Sequence, residues 1–460
     1  MEGRIINELI SCIGEEYVLT SKEDMVLYSY DAQLLESLPQ AVVEPASTID
    51  VANIVKIANR ERIPITPRGS STGLSAGAVP IKGGIVLSTR RMKRIEIDEK
   101  NLTATVEPGV ITMDLYKAAK AKGLFYPPDP GSYKVSTIGG NIATNAGGPH
   151  AIKYGVTRNY VLSLEVVLPT GEILNTGSRT VKCVTGYSLK DLLIGSEGTL
   201  GIITTACLRL LPLPETCYTI LASFNNTGAS AKVVSNIISS GLIPSTMEYM
   251  DRITIKAVEN YKFTGLPKDA ESVLLIETDG NRKAAEDEAE KIISLCKKGG
   301  AVVKYAEDPD ERKKIWEGRR AALPALINIK PNSRPTTFLE DATVPRSEVH
   351  KMVSEINKIS KKYGLTIGVF GHIGDGNLHP TFLVDTQNKD DMDKVEKATE
   401  EIFEVSLTLG GTLSGEHGIG ATKMKYLEKE VGNKGIELMK ILKNSLDPNH
   451  ILNPGKILSL

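Results

Sequence analysis

Between Ser136 and Gly148 the chain reads Ser136-Thr137-Ile138-Gly139-Gly140-Asn141-Ile142-Ala143-Thr144-Asn145-Ala146-Gly147-Gly148; six of these thirteen residues are Gly or Ala, and the polar ones are small. Such a stretch supplies little bulk to a core. It lets the main chain approach a neighbour closely, and a large planar ligand can lie against such a surface. Two further clusters belong to the same half. Pro67-Arg68-Gly69-Ser70-Ser71-Thr72-Gly73-Leu74-Ser75 follows a strand-like stretch, and Gly195-Ser196-Glu197-Gly198-Thr199-Leu200-Gly201-Ile202-Ile203-Thr204 precedes another. Converging backbone N–H groups and hydroxyls in loops of this kind can cradle a phosphate pair. The first is neither GxGxxG nor a P-loop, so alone it reads equally well as a structural turn. Three such loops in one lobe favour a dinucleotide cofactor.

A chain of 460 residues is too long for one small core, so two or three domains are expected. The formal net charge of -1 carries no global bias toward nucleic acid or an anionic membrane. The five cysteines (Cys12, Cys183, Cys207, Cys217, Cys296) are scattered and form no CxxC pair. That argues against an iron–sulfur or zinc-finger module and against disulfide stapling, and it suggests a reducing compartment. Met1 to Thr20 lacks a signal-peptide pattern, and no apolar run reaches membrane-spanning length. The expected location is the cytoplasm, with peripheral contact at the inner face of the membrane still open.

Short helices are expected over residues 1–37, with Ser21 as an N-cap. Strands follow at Val42-Val43, Ile63–Pro67, Gly84–Ser88, Leu102–Val106 and Val161–Pro169, with a helix from Thr48 to Asn59. An α+β lobe closing near Pro212-Leu213-Pro214 results. From about Glu215 the pattern predicts strands at Cys217–Phe224, Ser272–Thr278, Thr336–Val344 and Thr366–Gly371. Helices are predicted at Ala229–Ser240, Arg282–Lys298, Arg346–Tyr363 and Asp390–Leu409. That alternation suggests an antiparallel sheet covered on one side. Thr422–Asn444 reads as a charged helix.

Three of the six histidines lie in two glycine-flanked segments, His372-Ile373-Gly374-Asp375-Gly376-Asn377-Leu378-His379 and Gly415-Glu416-His417-Gly418. Read as loops, these put imidazoles and a carboxylate where burial is costly unless they ligate, pair or hydrogen-bond. A divalent metal beside a catalytic base would satisfy them. Any one of these histidines reads equally as a hydrogen-bonded loop residue; the set does not. Asp375 and Asn377 read better as turn formers, or as hydrogen-bond partners that orient the ligands, than as ligands.

The loops at Pro67–Ser75, Ser136–Gly148 and Gly195–Thr204, together with Val106-Glu107-Pro108-Gly109, resemble the FAD-binding lobe of vanillyl-alcohol-oxidase-type flavoproteins. With His372–His379, Ser414–Gly420 and Leu452-Asn453-Pro454-Gly455-Lys456, the chain resembles the branch holding D-lactate dehydrogenases, D-2-hydroxyglutarate dehydrogenase and the glycolate oxidase catalytic subunit. The order and spacing of these motifs, which cover nearly the whole chain, carry the resemblance.

The resemblance implies an α+β fold: a helical segment (1–37), an FAD-binding domain (38–214), an antiparallel-sheet substrate cap (215–411) and a helical return segment (412–460). It implies that Pro67, Arg68, Gly69, Ser70, Ser71, Thr72, Gly73, Leu74 and Ser75 bind the FAD pyrophosphate. Ser136, Thr137, Gly139, Gly140, Asn141, Ala143, Thr144, Asn145 and Gly147 would lie along the flavin. Pro127 and Asp129, then Glu197, Gly198, Gly201, Ile202 and Ile203, and lastly Asn453, would complete the cofactor site. No His or Cys lies between Cys12 and His150, so noncovalent FAD is expected, and His150 reads as a packed or solvent-facing residue.

In the family's metal-using members two histidines and a glutamate hold a divalent ion, followed directly by a catalytic histidine. Here these match His372, His379, Glu416 and His417, a donor set suited to Zn²⁺ or Mn²⁺. Arg319, in Trp316-Glu317-Gly318-Arg319-Arg320, matches the arginine that takes the substrate carboxylate, with Arg320 the nearby alternative. The 2-hydroxyglutarate enzymes carry a lysine in the stretch matching Thr336–Pro345, which has none here; that favours lactate or glycolate.

The expected activity is therefore FAD-dependent oxidation of a small D-2-hydroxy acid. Electrons would pass to a quinone, an electron-transfer flavoprotein or an iron–sulfur subunit, in a homodimer or hetero-oligomer. Two rivals are a noncatalytic flavin-binding subunit of a redox complex and an ether-lipid-synthase-like flavoenzyme; the metal set argues against the latter.

Overall fold

Val51, Ile54, Val55 and Ala58 recur at helical spacing and are buried along one stripe of the helix Thr48–Glu61. Ser47 and Asp50 form a capping box at its start, and Arg62 ends it with a φ of 53°. This helix belongs to one of two units in the computed structural model, which describes residues 1–306, 308–329 and 337–460. The first unit holds residues 1–147, 156–213 and 416–460; the second holds 148–155 and 214–415.

In the first unit Ile85–Ser88 lies parallel to both Ala41–Val43 and Ile65–Arg68, and Val18–Leu19 adds an antiparallel edge. That strand sits within residues 1–37, where only helices are expected from sequence. A second sheet is antiparallel, in the order Ile95–Asp98, Thr103–Val106, Ile202–Arg209, Val161–Val167, Ile173–Gly177. Residues 416–460 complete this unit: Leu452 makes a parallel bridge to Ile65, and Asn453 N–H donates to the Ile65 carbonyl at 2.7 Å. The helix expected over Thr422–Asn444 is a short 3-10 turn, Met424–Tyr426, followed by Leu427–Leu446, which kinks at Gly432 (φ 69°).

The second unit is built on an eight-stranded antiparallel sheet. Its order is Val302–Ala306, Thr216–Phe224, Ser272–Gly280, Thr246–Asp251, Ile367–His372, Asn377–Leu383, Thr337–Leu339, with Ala342–Thr343 also pairing Asn377–Leu383. The expected single strand over Thr336–Val344 is thus two short ones separated at Glu340-Asp341, and Thr336 lies outside the described residues. Side chains alternate between faces. Ile276, Met247, Tyr249, Val369, Leu378 and Phe382 join one core with Val234, Ile292, Ile356 and Ile402 of the helices Thr227–Ser239, Arg282–Lys298, Val349–Tyr363 and Lys389–Thr408. The opposite face is not bare, as a sheet covered on one side would require. Gly368 sits so close to Leu326, in the helix Ala322–Ile327, that a Cβ there would come within 2.9 Å of it.

No helix among the described residues is long and apolar enough to cross a membrane.

Candidate functional site

The three glycine-rich loops of the first unit meet because their residues leave no room for side chains. A Cβ at Gly69 would fall 2.2 Å from Thr137 Oγ1, and one at Gly198 would fall 3.0 Å from Pro67. Thr137 caps the helix Ile138–Thr144 by accepting the Gly140 N–H at 3.2 Å, and a Cβ at Gly139 would collide with Pro108. Asn145 ends that helix with a φ of 52° and accepts the Arg158 N–H through its side chain. Asn141 donates to Thr112 at 2.8 Å. The Glu197 N–H donates to the Ala143 carbonyl at 2.8 Å, hanging the third loop from the second; Gly201, Ile202 and Ile203 then run into the strand. Thr144 donates back to Gly140 within the helix.

Around the first loop, Arg68 is buried and donates to the carbonyls of Tyr30 (2.8 Å), Leu27 (3.1 Å) and Tyr28 (3.3 Å). Its guanidinium fastens residues 27–30 to the loop. Ser71, at a φ of 60°, donates to Tyr30 as well, and the Gly73 and Leu74 carbonyls accept from Ala32 N–H and Gln33. Between these anchors Ser70 is exposed and Thr72 half-buried. Pro127 and Asp129 flank Pro128, whose carbonyl accepts the Tyr116 hydroxyl at 2.5 Å.

Glu197 draws residues 416–420 and 453 onto these loops. Its two carboxylate oxygens accept the N–H groups of Ile419 (2.7 Å) and Gly420 (2.8 Å), and Asn453 Nδ2 donates to its carbonyl at 2.7 Å and to Gly77 at 2.9 Å. Burial pushes the Glu197 carboxyl up to about 7, against the pull of those two N–H groups and of Lys456. Burial likewise lowers Lys456 to about 8. In the same unit Glu416 Oε1 lies 4.0 Å from His417 Nε2, and a Cβ on Gly147 would come within 3.1 Å of Glu416 Oε2.

In the second unit the histidine segment is not a loop at its ends. His372 closes the strand Ile367–His372 and His379 lies inside Asn377–Leu383; the tight turn between them is glycine-rich because a Cβ at Gly376 (φ 93°) would strike the Val344 carbonyl. Phe370 pairs with His379 and His372 with Asn377, so period-two alternation puts both imidazoles on one sheet face. Their ring centroids are 5.2 Å apart at 87°, with nitrogens within 4.8 Å of one another. Asp375 serves its turn by accepting the Asn377 N–H at 3.2 Å.

On the neighbouring strand Thr246–Asp251, Tyr249 pairs with Gly371, which brings Glu248 opposite His372 on the same face. Glu248 Oε1 lies 2.7 Å from His372 Nδ1 and its Oε2 lies 2.6 Å from a guanidinium nitrogen of Arg319. Burial by itself raises the Glu248 carboxyl; the facing His372 and Arg319 side chains outweigh it and hold the group below its ordinary value. Arg319 sits in the last turn of Pro309–Arg320, beside Gly318, where a Cβ would crowd Thr264 and Leu266. Its side chain is nine-tenths buried, its guanidinium lies 4.9 Å over the Phe370 ring, and its Nε–H has no hydrogen-bond partner among the described residues.

Sequence reasoning missed Glu248, having assigned no strand to Thr246–Asp251. It also missed Asp341, fully buried, which accepts the Ser414 hydroxyl at 2.8 Å and offers an oxygen within 4.8 Å of a His379 nitrogen. An acid at position 248 amid Met247, Tyr249 and Met250 was the available signal.

The family described as "FAD linked oxidases, C-terminal domain" matches residues 213–457, and "FAD binding domain" matches residues 39–177. The chain is 51% identical over 453 residues to the glycolate oxidase subunit GlcD of Bacillus subtilis (strain 168), covering 98% of this chain and 96% of that one. It is 37% identical over 461 residues to a D-lactate dehydrogenase of Anaerostipes hadrus, covering 97% and 95%. Among solved structures, p-cresol methylhydroxylase with substrate bound superposes with a TM-score of 0.81 at 18% identity, covering 99% of this chain and 96% of that one. That likeness extends to the fold: the chain has the vanillyl-alcohol-oxidase-type architecture expected from its motifs.

Proposed function

This chain belongs to the family of FAD-linked oxidases, and on that premise we propose that it oxidises a small D-2-hydroxy acid, D-lactate or glycolate, to the 2-oxo acid. The observation that carries the reading is the buried trio His372, Glu248 and Arg319 on one sheet face. A carboxylate against His372 Nδ1 fixes the tautomer with Nε2 as the basic nitrogen, the state a metal ligand needs. Beside it, the Arg319 Nε–H has no hydrogen-bond partner among the described residues, a spare donor suited to a substrate carboxylate.

The proposed roles follow residue by residue. His372, His379 and Glu416 would hold a divalent ion, zinc or manganese; two imidazoles and one carboxylate fit either. When bound, such an ion lowers the pKa of an alcohol, and FAD accepts the hydride leaving the α-carbon. Arg319 pairs with the substrate carboxylate and orients the α-carbon. His417 takes the hydroxyl proton as general base. The loops at 67–75, 136–147 and 197–203, with Pro127, Asp129 and Asn453, hold FAD without a covalent bond. In this reading residues 38–214 form the cofactor domain, 215–411 the substrate cap, and 412–460 a return segment.

The two chains reported above are named a glycolate oxidase subunit and a D-lactate dehydrogenase, which supports both candidate substrates. The word subunit supports a hetero-oligomer in which a quinone, an electron-transfer flavoprotein or an iron–sulfur protein takes the electrons, in the cytoplasm or at the inner face of the membrane.

The test is anaerobic titration of the FAD- and metal-loaded protein with D- and L-lactate, glycolate, malate and 2-hydroxyglutarate, following flavin bleaching. Bleaching by D-lactate or glycolate is expected. No bleaching by any of them would overturn the proposal and favour a noncatalytic flavin-binding subunit.

A further inference from the structure

Glu248 has no side-chain exposure, and its two oxygens are divided between two cations or donors with different tasks. Oε1 faces His372 Nδ1 and Oε2 faces Arg319. We infer that Glu248 is a positioning residue shared by metal and substrate recognition, setting His372 for the metal through one oxygen and the Arg319 guanidinium for the substrate carboxylate through the other. The inference rests on the reading above, in which His372 is a ligand and Arg319 a carboxylate binder.

Physical chemistry makes the sharing consequential. A carboxylate on the remote nitrogen of a ligating imidazole fixes its tautomer and raises its basicity, and removing such a partner typically weakens metal binding about 10–100-fold. The negative charge of Glu248 is single, so what it gives to Arg319 is withheld from His372. Arg319 and His372 therefore compete for it. Loss of Glu248 weakens metal binding, whereas loss of the Arg319 charge leaves His372 with the whole carboxylate. A network that served only to hold the fold would respond in one direction to either loss.

The experiment uses the FAD-loaded full chain and measures Zn²⁺ and Mn²⁺ affinity by competition with a chromophoric chelator, with no substrate present. For Glu248→Gln the expected result is about 10–100-fold weaker metal binding, unchanged FAD content and a raised KM for the hydroxy acid. For Arg319→Met the expected result is metal affinity equal to or above wild type, with KM raised. Should that variant fail to fold, Arg319→Lys, which keeps the charge and loses the planar fork, should bind metal as wild type does and still raise KM. Wild-type metal affinity in Glu248→Gln, or an equal loss in the Glu248 and Arg319 variants, overturns the inference and leaves the proposed activity standing. A wild-type protein that binds neither ion overturns the metal assignment and this inference together.

Discussion

The Ser75 hydroxyl donates to the His417 carbonyl oxygen at 3.0 Å, across 342 positions of sequence. The Ser75 carbonyl in turn accepts the Ala421 N–H at 2.9 Å. A loop assigned to the cofactor thus fixes the peptide of the residue assigned as base, and the anchor acts on the backbone of His417.

Because of that anchor, His417→Gln should fold and retain FAD. Flavin reduction by the hydroxy acid should slow about 10²–10⁴-fold, the usual contribution of a positioned base. Anaerobic stopped-flow absorbance reads this, and an unchanged rate would refute the role. Ser75→Ala should cost about 0.5–1.5 kcal/mol of stability, as loss of one neutral hydrogen bond does.

Glu197 and Lys456 predict a pH profile of stability. The Glu197 carboxyl titrates near 7 in the folded chain against an ordinary 4.5, so its contribution is complete below 4.5 and is lost as pH rises toward 7. Lys456 titrates near 8 against an ordinary 10.5, so its contribution is present above 10.5 and is lost as pH falls through 8. Between about 7 and 8 both are charged and buried, and the pair stabilises least. Each displacement corresponds to roughly 3 kcal/mol. Thermal melts from pH 5 to 10 should show a minimum there; Glu197→Gln should flatten the acid limb and Lys456→Met the alkaline one. A wild-type profile without the minimum would count against the burial of these two groups.

Gly69→Ala drives a methyl group into Thr137 Oγ1, the N-cap of Ile138–Thr144. Loss of the cap costs about 1 kcal/mol, and parting of the two loops should reduce FAD retention at least about tenfold, the equivalent of 1.4 kcal/mol. Gly131, with open space where its Cβ would go, is the matched control. Equal FAD content in Gly69→Ala and Gly131→Ala, after gel filtration, would show that the loops tolerate separation.

Lys443 is buried with Asp447 at 2.5 Å and donates to the carbonyls of Thr199 and Leu452, both at 2.8 Å. Replacing it by Met strands the Asp447 carboxylate, which the Ile451 and Leu452 N–H groups only partly satisfy. The expected loss is about 3–5 kcal/mol, the range for breaking a buried ion pair, with FAD release at a lower temperature than in the wild type. Asp447→Asn paired with Lys443→Met should recover part of it. Melting followed by flavin fluorescence checks both.

The glycine loops were legible because close backbone approach leaves a compositional trace, although no sequence pattern says that Gly69 meets Thr137 or Gly198 meets Pro67. The helix Arg282–Lys298 was legible to the residue, since Ala285, Ala289, Ile292 and Cys296 repeat at helical spacing on a charged background. Thr246–Asp251 was not. Nearly every position in it is buried on both faces, so the alternation that marks a strand is missing, and its pairing with Ile367–His372 is a tertiary fact. Glu248 was hidden with it. Arg68 shows a different limit: its place in a cofactor loop was readable, but its hold on the carbonyls of residues 27–30 depends on how the chain returns to it.

The bridge between Ile65 and Leu452 also sets an order of events during synthesis. The first parallel strands leave the ribosome early, yet Asn453, Lys456 and the Glu197 contacts to Ile419 and Gly420 wait for nearly the whole chain. The second unit, residues 148–155 and 214–415, has all of its chain made by residue 415, whereas the Ile65 edge of the first unit stays open until residues 452 and 453 follow. Flavin is therefore expected to load after residue 453 has been made, and a ribosome stalled before that residue should display no bound FAD.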